Sequence, residues 1–257
     1  MSFLRSFITA FSMFSRLPVP TLKWHNDNMR YMLAMFPFVG VAVGLFVWAW
    51  LWICEVLGFG VILRSAGLTL LPVAVTGSIH LDGFCDTTDA LASRAPEARK
   101  REILKDPHTG AFAVIGVVSY MILYFALGTE FQPGVMTPLL LGLMFVLSRT
   151  MSALSVLLFP SHAGKGLLST FKNSAEKKVS LGILIVFFIL STAGLFYINI
   201  LTGSIMVLAA LLCLIYLFIM ARRQFGGMSG DLAGYFLQLC ELFMFASIII
   251  VQKVVTQ

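Results

Sequence analysis

Long apolar segments alternate with short polar segments along almost the whole chain. Seven of the apolar segments predict membrane-spanning helices, since a span needs about 20 apolar residues. They are residues 31–57, 61–80, 111–128, 135–159, 181–201, 204–220 and 232–251. We therefore predict an all-α polytopic membrane protein with one integral membrane domain over residues 1–257. This arrangement leaves no room for a separate soluble domain.

The segment before the first predicted span has a different pattern. Its large apolar residues recur at helical spacing, with polar residues on the other side. The apolar positions are Phe3, Leu4, Phe7, Ile8, Phe11 and Phe14. This pattern predicts an amphipathic helix over residues 3–16 that lies in the membrane interface. A helix packed on the bundle would have the same pattern.

Composition supports a membrane protein, because 59% of the residues are hydrophobic and only 12% are charged. The basic residues lie before the first predicted span and after the second, fourth and sixth. They are Arg5, Arg16, Lys23, Arg30, Arg94, Arg99, Lys100, Arg101, Lys105, Lys165, Lys172, Lys177, Lys178, Arg222 and Arg223. The opposite side has only Arg64 and Lys253.

This charge asymmetry predicts the orientation of the chain. By the positive-inside rule, we expect a cell inner membrane protein with a cytoplasmic N-terminus and every basic loop in the cytoplasm. The net charge of +6 is then a consequence of topology. No dedicated basic domain or motif indicates a nucleic-acid partner. Attraction to anionic headgroups or to an anionic substrate is left open.

Acidic residues gather directly after the second predicted span. Asp82, Asp86 and Asp89, here called the Asp-rich motif, stand at i, i+4 and i+7. If the helix of that span continues past the membrane, their carboxylates lie within an arc of about 60°. Close like charges repel one another, so a bound cation would stabilise them. Oxygen ligands without a Cys or His cluster favour Mg²⁺. The alternative is a solvated acidic turn that caps a spanning helix.

A second charged group precedes the third predicted span. Asp106 is a candidate to join the metal site, and Lys105 and Arg101 are candidates to hold phosphate oxygens. Alternatively, Pro107 and Thr109 merely start a helix.

The segment between the sixth and seventh predicted spans is rich in glycine. It reads Gly226-Gly227-Met228-Ser229-Gly230-Asp231. The glycines would let the backbone approach a ligand and offer N–H groups to a phosphate. Asp231, with the preceding Arg222 and Arg223, would supply both charges of a metal–phosphate site. A plain turn between antiparallel helices has the same pattern.

Two ionisable residues lie deep within predicted spans. At 1.5 Å per residue, Arg149 and Glu241 are both about 15 Å from the cytoplasmic face, so they are able to pair. Such a pair either contacts substrate or only fixes the packing of the helices.

These motifs together resemble the cobalamin synthase family, the adenosylcobinamide-GDP ribazoletransferases of the late vitamin B12 pathway. The matching segments are residues 14–20, 36–40, 77–91, 106–116 and 226–234. They occur in order along nearly the whole chain, and the Asp-rich motif is the most specific. The departures are Ser229, where Thr is expected, and Tyr235, where Ala is expected.

The resemblance implies a transfer in which a hydroxyl of α-ribazole, or of its 5′-phosphate, attacks the cobinamide-bound phosphorus of adenosylcobinamide-GDP and releases GMP. The Mg²⁺ ligands and catalytic residues would be Asp82, Asp86, Asp89 and Asp231, with Asp89 nominated to accept the proton. The candidate residues for binding substrate or phosphate are His80, Arg101, Lys105, Asp106, Arg149, Gly227, Gly230 and Glu241. The expected partners are the two substrates and the lipid bilayer, while other enzymes of the cobalamin pathway and a second copy of the chain are left open.

Two other classes of protein compete with this interpretation. An intramembrane prenyltransferase, or another phosphotransferase acting on a diphosphate, also holds magnesium diphosphate on Asp-rich motifs, but Asp231 stands alone after the glycines. A cation transporter would have acids near the membrane midplane. Only Glu241 fits that expectation.

Overall fold

The computed structural model describes residues 2–20, 22, 25–161 and 167–255. Within these residues the chain forms twelve helices and no strand. They are α1 (Ser2–Phe14), α2 (Asn26–Met29), α3 (Met32–Val56), α4 (Val61–Thr76), α5 (Ile79–Ala92), α6 (Glu97–Ile103), α7 (Ala111–Glu130), α8 (Thr137–Leu158), α9 (Leu167–Ser174), α10 (Lys177–Ile198), α11 (Ile200–Gln224) and α12 (Gly230–Val255). Lys23 and Lys165, two of the basic loop residues, lie outside the described residues.

Six of these helices are long and apolar enough to cross a membrane: α3, α7, α8, α10, α11 and α12. The pair α4 and α5 passes the same test together, which gives up to seven spans. The all-α polytopic prediction is thus confirmed. Most predicted boundaries are correct to within a few residues, because the apolar pattern follows the lipid-facing and core-facing surfaces closely.

The end of the second predicted span is wrong. The structure bends by 96° between α4 and α5, so no continuous helix covers residues 61–80. Gly77 and Ser78 both have left-handed backbone conformations, with φ of 65° and 66°. Their N–H groups close the end of α4 on the carbonyls of Ala74 and Val73. The Asp-rich motif therefore lies on a separate helix, α5, and not on an extension of the span.

The N-terminal helix packs on the bundle. Rings of Phe7 and Phe38 lie 5.5 Å apart, and those of Phe14 and Phe36 lie 4.5 Å apart. Leu4, near the start of α1, is 68% exposed. The amphipathic helix is confirmed, ending at Phe14 and not at residue 16, and its apolar side covers α3.

Contacts among loops and helix ends define two ends of the bundle. At one end, Met228 N–H donates to the Pro160 carbonyl at 2.9 Å, and Lys172 Nζ donates to the Phe159 carbonyl at 2.6 Å. We call this the basic end, because α6, the end of α11 and the start of α10 carry basic residues there. At the opposite end, Gln252 Nε2 donates to the Gln132 carbonyl at 2.8 Å.

The core holds the ion pair that the sequence predicted. Arg149 of α8 and Glu241 of α12 are 1% and 2% exposed, and Arg149 Nη1 bonds Glu241 Oε1. Ser148 Oγ donates to Glu241 Oε1 at 2.9 Å, and it also accepts from Arg149 Nη1 at 2.9 Å. The pairing is confirmed, and its deep burial between helices favours the packing role over a substrate contact.

We predict that breaking this pair destabilises the fold strongly. Glu241→Leu should lower the free energy of unfolding by about 3–5 kcal/mol, because it leaves a buried guanidinium without its counter-charge. Adding Arg149→Met should recover most of the loss. Unfolding in detergent, followed by circular dichroism, measures both. A single variant as stable as the parent would contradict a structural role for the pair.

Candidate active site

Helix α5 runs across the starts of α7 and α12, and two glycines bring α5 and α12 into backbone contact. A Cβ at Gly83 would lie 2.7 Å from the carbonyl oxygen of Asp231. A Cβ at Gly234 would lie 2.9 Å from the carbonyl oxygen of His80. No larger residue fits either position without a shift of the helices. This contact carries the Asp-rich motif to the start of α12.

Asp82, Asp86 and Asp89 of α5 and Asp231 of α12, here called the acidic cluster, interact electrostatically. Helix α5 alone is too short and too polar to cross a membrane, so it lies outside the six spanning helices. The pKa of Asp86 is raised to about 6. Burial is the largest cause, and the other three carboxylates of the cluster add to it. The cluster thus concentrates negative charge that a cation would neutralise.

The chemistry of the acidic cluster fits a hard divalent cation. All its donors are carboxylate oxygens, which are the ligands that Mg²⁺ prefers. In the part of the chain that the structure describes, no three or more His, Cys, Asp or Glu side chains stand close enough together to hold a metal ion as they are placed. Burial first, and then the neighbouring carboxylates, raise the pKa of Asp86, and a bound cation would offset that negative charge.

Asp89 also lies at the start of α7. Its Oδ1 accepts from the N–H of Ala113 at 3.4 Å, and a Cβ at Gly110 would overlap its carboxylate. A carboxylate at a helix N-terminus is stabilised by the unpaired N–H groups there. Asp89 therefore fixes α5 against α7 as well as contributing charge to the cluster.

The second charged group predicted from the sequence forms local contacts at the entry to α7. Asp106 Oδ1 accepts from His108 N at 3.0 Å and contacts His108 Nδ1 at 2.8 Å. These bonds hold the pKa of Asp106 below its usual value. Asp106 and Lys105 are both exposed, so this turn opens to solvent at the entry to α7. The metal-ligand role predicted for Asp106 stays a prediction.

Arg101 does not point freely towards a ligand. Its Nη1 pairs with Glu97 one turn earlier and approaches the Phe225 carbonyl at 3.4 Å. Arg101 thereby holds α6 against the loop that follows α11. A role in holding phosphate would require this contact to change.

The glycine-rich loop, residues 226–231, forms more hydrogen bonds within the protein than its sequence suggests. The N–H of Gly227 donates to the Ala221 carbonyl at 2.9 Å and closes the end of α11, so this amide is already engaged. Ser229 begins α12, because its Oγ accepts from Leu232 N at 3.3 Å and contacts Asp231 Oδ2 at 3.4 Å. Gly230 is exposed, with open space where a Cβ would stand. Of the two predicted phosphate-binding glycines, only Gly230 has room for a ligand beside it.

Arg222 and Arg223, which were predicted to supply positive charge beside this loop, have other surroundings. Arg222 stacks on Phe218, with its guanidinium carbon 5.3 Å from the ring centroid. Arg223 lines a separate groove beside α6. Neither pairs with a carboxylate among the described residues.

His80 lies behind the acidic cluster. It is 6% exposed, packs between Phe14 and Phe36, and has no hydrogen-bond partner for its Nε2 among the described residues. Its backbone contact with Gly234 makes it part of the α5–α12 packing. The substrate-binding role predicted for His80 therefore stays a prediction.

Arg16 is a residue at this site that the sequence reasoning did not select. It lines an open groove of about 480 Å³ together with Gly77, Ser78 and Asp82. Its backbone N–H donates to the Val75 carbonyl at 2.8 Å. The sequence did contain an indication of its importance, since Arg16 belongs to residues 14–20, one of the segments on which the family resemblance rests.

The fold and site define a polytopic helical membrane protein with a carboxylate cluster where its spanning helices begin. The chain belongs to the family described as cobalamin-5-phosphate synthase, which matches residues 6–249. A protein of Lachnoclostridium phytofermentans named adenosylcobinamide-GDP ribazoletransferase is 36% identical over 255 residues, covering 99% of this chain and 97% of that protein.

Other relatives carry the same name. One from Clostridium botulinum is 31% identical over 241 residues, which cover 93% of this chain and 94% of that protein. One from Brevibacillus brevis is 29% identical over 245 residues, which cover 93% of this chain and 95% of that protein. No solved structure matches the chain.

We predict that Gly83→Ala loosens the α5–α12 contact. The added methyl group meets the Asp231 backbone, so the variant should lose about 1–3 kcal/mol of stability and show faster hydrogen exchange in α5. Gly182→Ala is the matched control, because nothing lies within 4 Å of that position. Equal exchange rates in the two variants would contradict the close approach at Gly83.

Proposed function

We propose that this chain is an adenosylcobinamide-GDP ribazoletransferase. It joins α-ribazole, or its 5′-phosphate, to adenosylcobinamide-GDP with release of GMP, and the product is adenosylcobalamin or its phosphate. The names of its relatives support this proposal, and so does its membership of the cobalamin-5-phosphate synthase family. The structural observation that carries it is the acidic cluster formed by α5 and α12.

The reaction exchanges one bond to phosphorus for another. The ribazole hydroxyl oxygen forms a bond to the cobinamide-bound phosphorus, the bond from that phosphorus to the oxygen of GMP breaks, and GMP leaves with the electron pair. The hydroxyl proton goes to a carboxylate, for which Asp89 is our candidate. Its contact with Ala113 N–H fixes its position.

The residues proposed to hold Mg²⁺ are Asp82, Asp86, Asp89 and Asp231. The ion would supply neutralisation of charge on the diphosphate and on the leaving GMP. Without it, the acidic cluster would repel an anionic substrate, which is why we expect the activity to require a divalent cation. Arg16 faces the same groove as Asp82, and it is suited to hold a phosphate oxygen.

We propose that the basic end faces the cytoplasm of a cell inner membrane, with the N-terminus on the same side. The support is the concentration of Lys and Arg at that end, against few at the other. The substrates then reach the acidic cluster from the cytoplasm.

The two rival functions are less well supported. The curated relatives carry the name of a ribazoletransferase and not of a prenyltransferase. The acid expected of a cation transporter, Glu241, is paired with Arg149 in the core. A paired and buried carboxylate is a poor element of an ion path.

We predict that replacing any one of Asp82, Asp86 and Asp231 by Asn lowers GMP release on the order of 100-fold or more. The assay uses purified protein in liposomes with adenosylcobinamide-GDP, α-ribazole and Mg²⁺. Asp27→Asn is the matched control, because the Asp27 side chain is 73% exposed and lies in α2. Lys177→Gln with Lys178→Gln should also matter little. An Asn variant with near-normal turnover would remove that residue from the site.

Metal removal gives an independent test. A chelator should stop GMP release by the parent protein, and added Mg²⁺ should restore it, because the acidic cluster needs its charge neutralised before it accepts a diphosphate. Full activity with chelator present would refute the metal site while leaving the family assignment intact.

A further inference from the structure

A second groove lies on the other side of α5 from the acidic cluster. It has a volume of about 540 Å³ and is formed by the end of α5, by α6 and by the last turns of α11. Three cationic side chains line it, those of Arg94, Lys100 and Arg223. Its remaining wall is largely apolar, including Leu91 and Ile219. None of the described residues that line it carries a carboxylate.

Lys100 is the most informative of the three cations. It is only 6% exposed, and its Nζ donates to Oε1 of the uncharged side chain of Gln224. It forms no ion pair with a carboxylate in the described part of the chain. An ammonium group has three donors, and a buried charge is costly without a counter-charge. An anion in the groove would complete this site.

Arg94 and Arg223 stand at the mouth of the groove. Both are exposed, and neither pairs with a carboxylate among the described residues. Arg94 has a φ of 51°, an uncommon conformation for a residue other than glycine, and it comes two residues after the end of α5. With Lys100, they surround the groove with three positive charges.

The groove continues into an apolar surface of α11. Leu208, Leu212, Ile215 and Ile219 are 55%, 57%, 55% and 45% exposed, and their spacing puts them on one side of the helix. Since α11 is long and apolar enough to cross a membrane, this stripe faces acyl chains. Ile219 belongs both to the stripe and to the wall of the groove.

We infer that this groove binds the phosphate of an anionic membrane phospholipid, whose acyl chains lie along the exposed stripe of α11. Charge complementarity supplies the headgroup contact, and continuity with the apolar stripe selects a lipid over a soluble phosphate. Basic pockets at the membrane edge between helices are known to hold such headgroups. The site is separate from the acidic cluster and does not depend on the proposed reaction.

The test is lipid binding by the purified full-length protein. Native mass spectrometry in detergent would count the adducts formed with palmitoyl-oleoyl phosphatidylglycerol and with palmitoyl-oleoyl phosphatidylcholine. Arg94→Gln and Arg223→Gln should each weaken phosphatidylglycerol binding roughly fivefold, the effect of one basic residue near an anionic membrane surface. Arg99→Gln is the matched control, because it removes the same charge from α6 at an exposed residue paired with Glu102.

Selective loss in the two groove variants, with Arg99→Gln like the parent, is the expected result. Equal phosphatidylglycerol binding by all variants would overturn the proposal. So would displacement of the lipid by millimolar pyrophosphate or GMP, which would identify the groove as a site for a soluble phosphate. Because no readout here is enzymatic, failure of the proposed reaction would leave this result unaffected.

Discussion

The backbone contact between α5 and α12 is the constraint on which the site depends. Gly83 and Gly234 leave no side chain between the two helices, so Asp231 at the start of α12 meets the Asp-rich motif of α5. A bulkier residue at either position would separate the carboxylates. The bend at Gly77 and Ser78 has the complementary effect, because it turns α5 across the ends of the spans instead of continuing α4.

This geometry gives one end of the bundle two neighbouring but opposite electrostatic environments. On one side of α5, burial and the three neighbouring carboxylates of the acidic cluster raise the pKa of Asp86 to about 6. On the other side, Arg94, Lys100 and Arg223 line a groove without acids among its described residues. Only helix α5 separates the two environments. A cation on one side and an anion on the other would therefore lie about one helix width apart.

The sequence predicted the spans well, since lipid and core both require apolar residues over a length fixed by the bilayer. The pairing of Arg149 with Glu241 was also predictable, because helical rise places both at the same depth. The bend after α4 was not predicted, because the second predicted span extends to His80 through the polar segment Thr76-Gly77-Ser78, in which Gly77 is a helix-ending signal. The hydrogen bonds of Asp106 to His108 and of Gly227 to Ala221 were not predicted either, because a residue pattern does not reveal such local contacts.

The contacts of Arg16 have a consequence for how the site assembles. Arg16 precedes α3 in the chain, yet its N–H donates to the Val75 carbonyl and its side chain borders a groove with Asp82, while Asp231 belongs to α12. The site therefore joins residues that are far apart in the sequence. It forms only when the intervening helices have packed, so it is a property of the assembled bundle and not of any single segment.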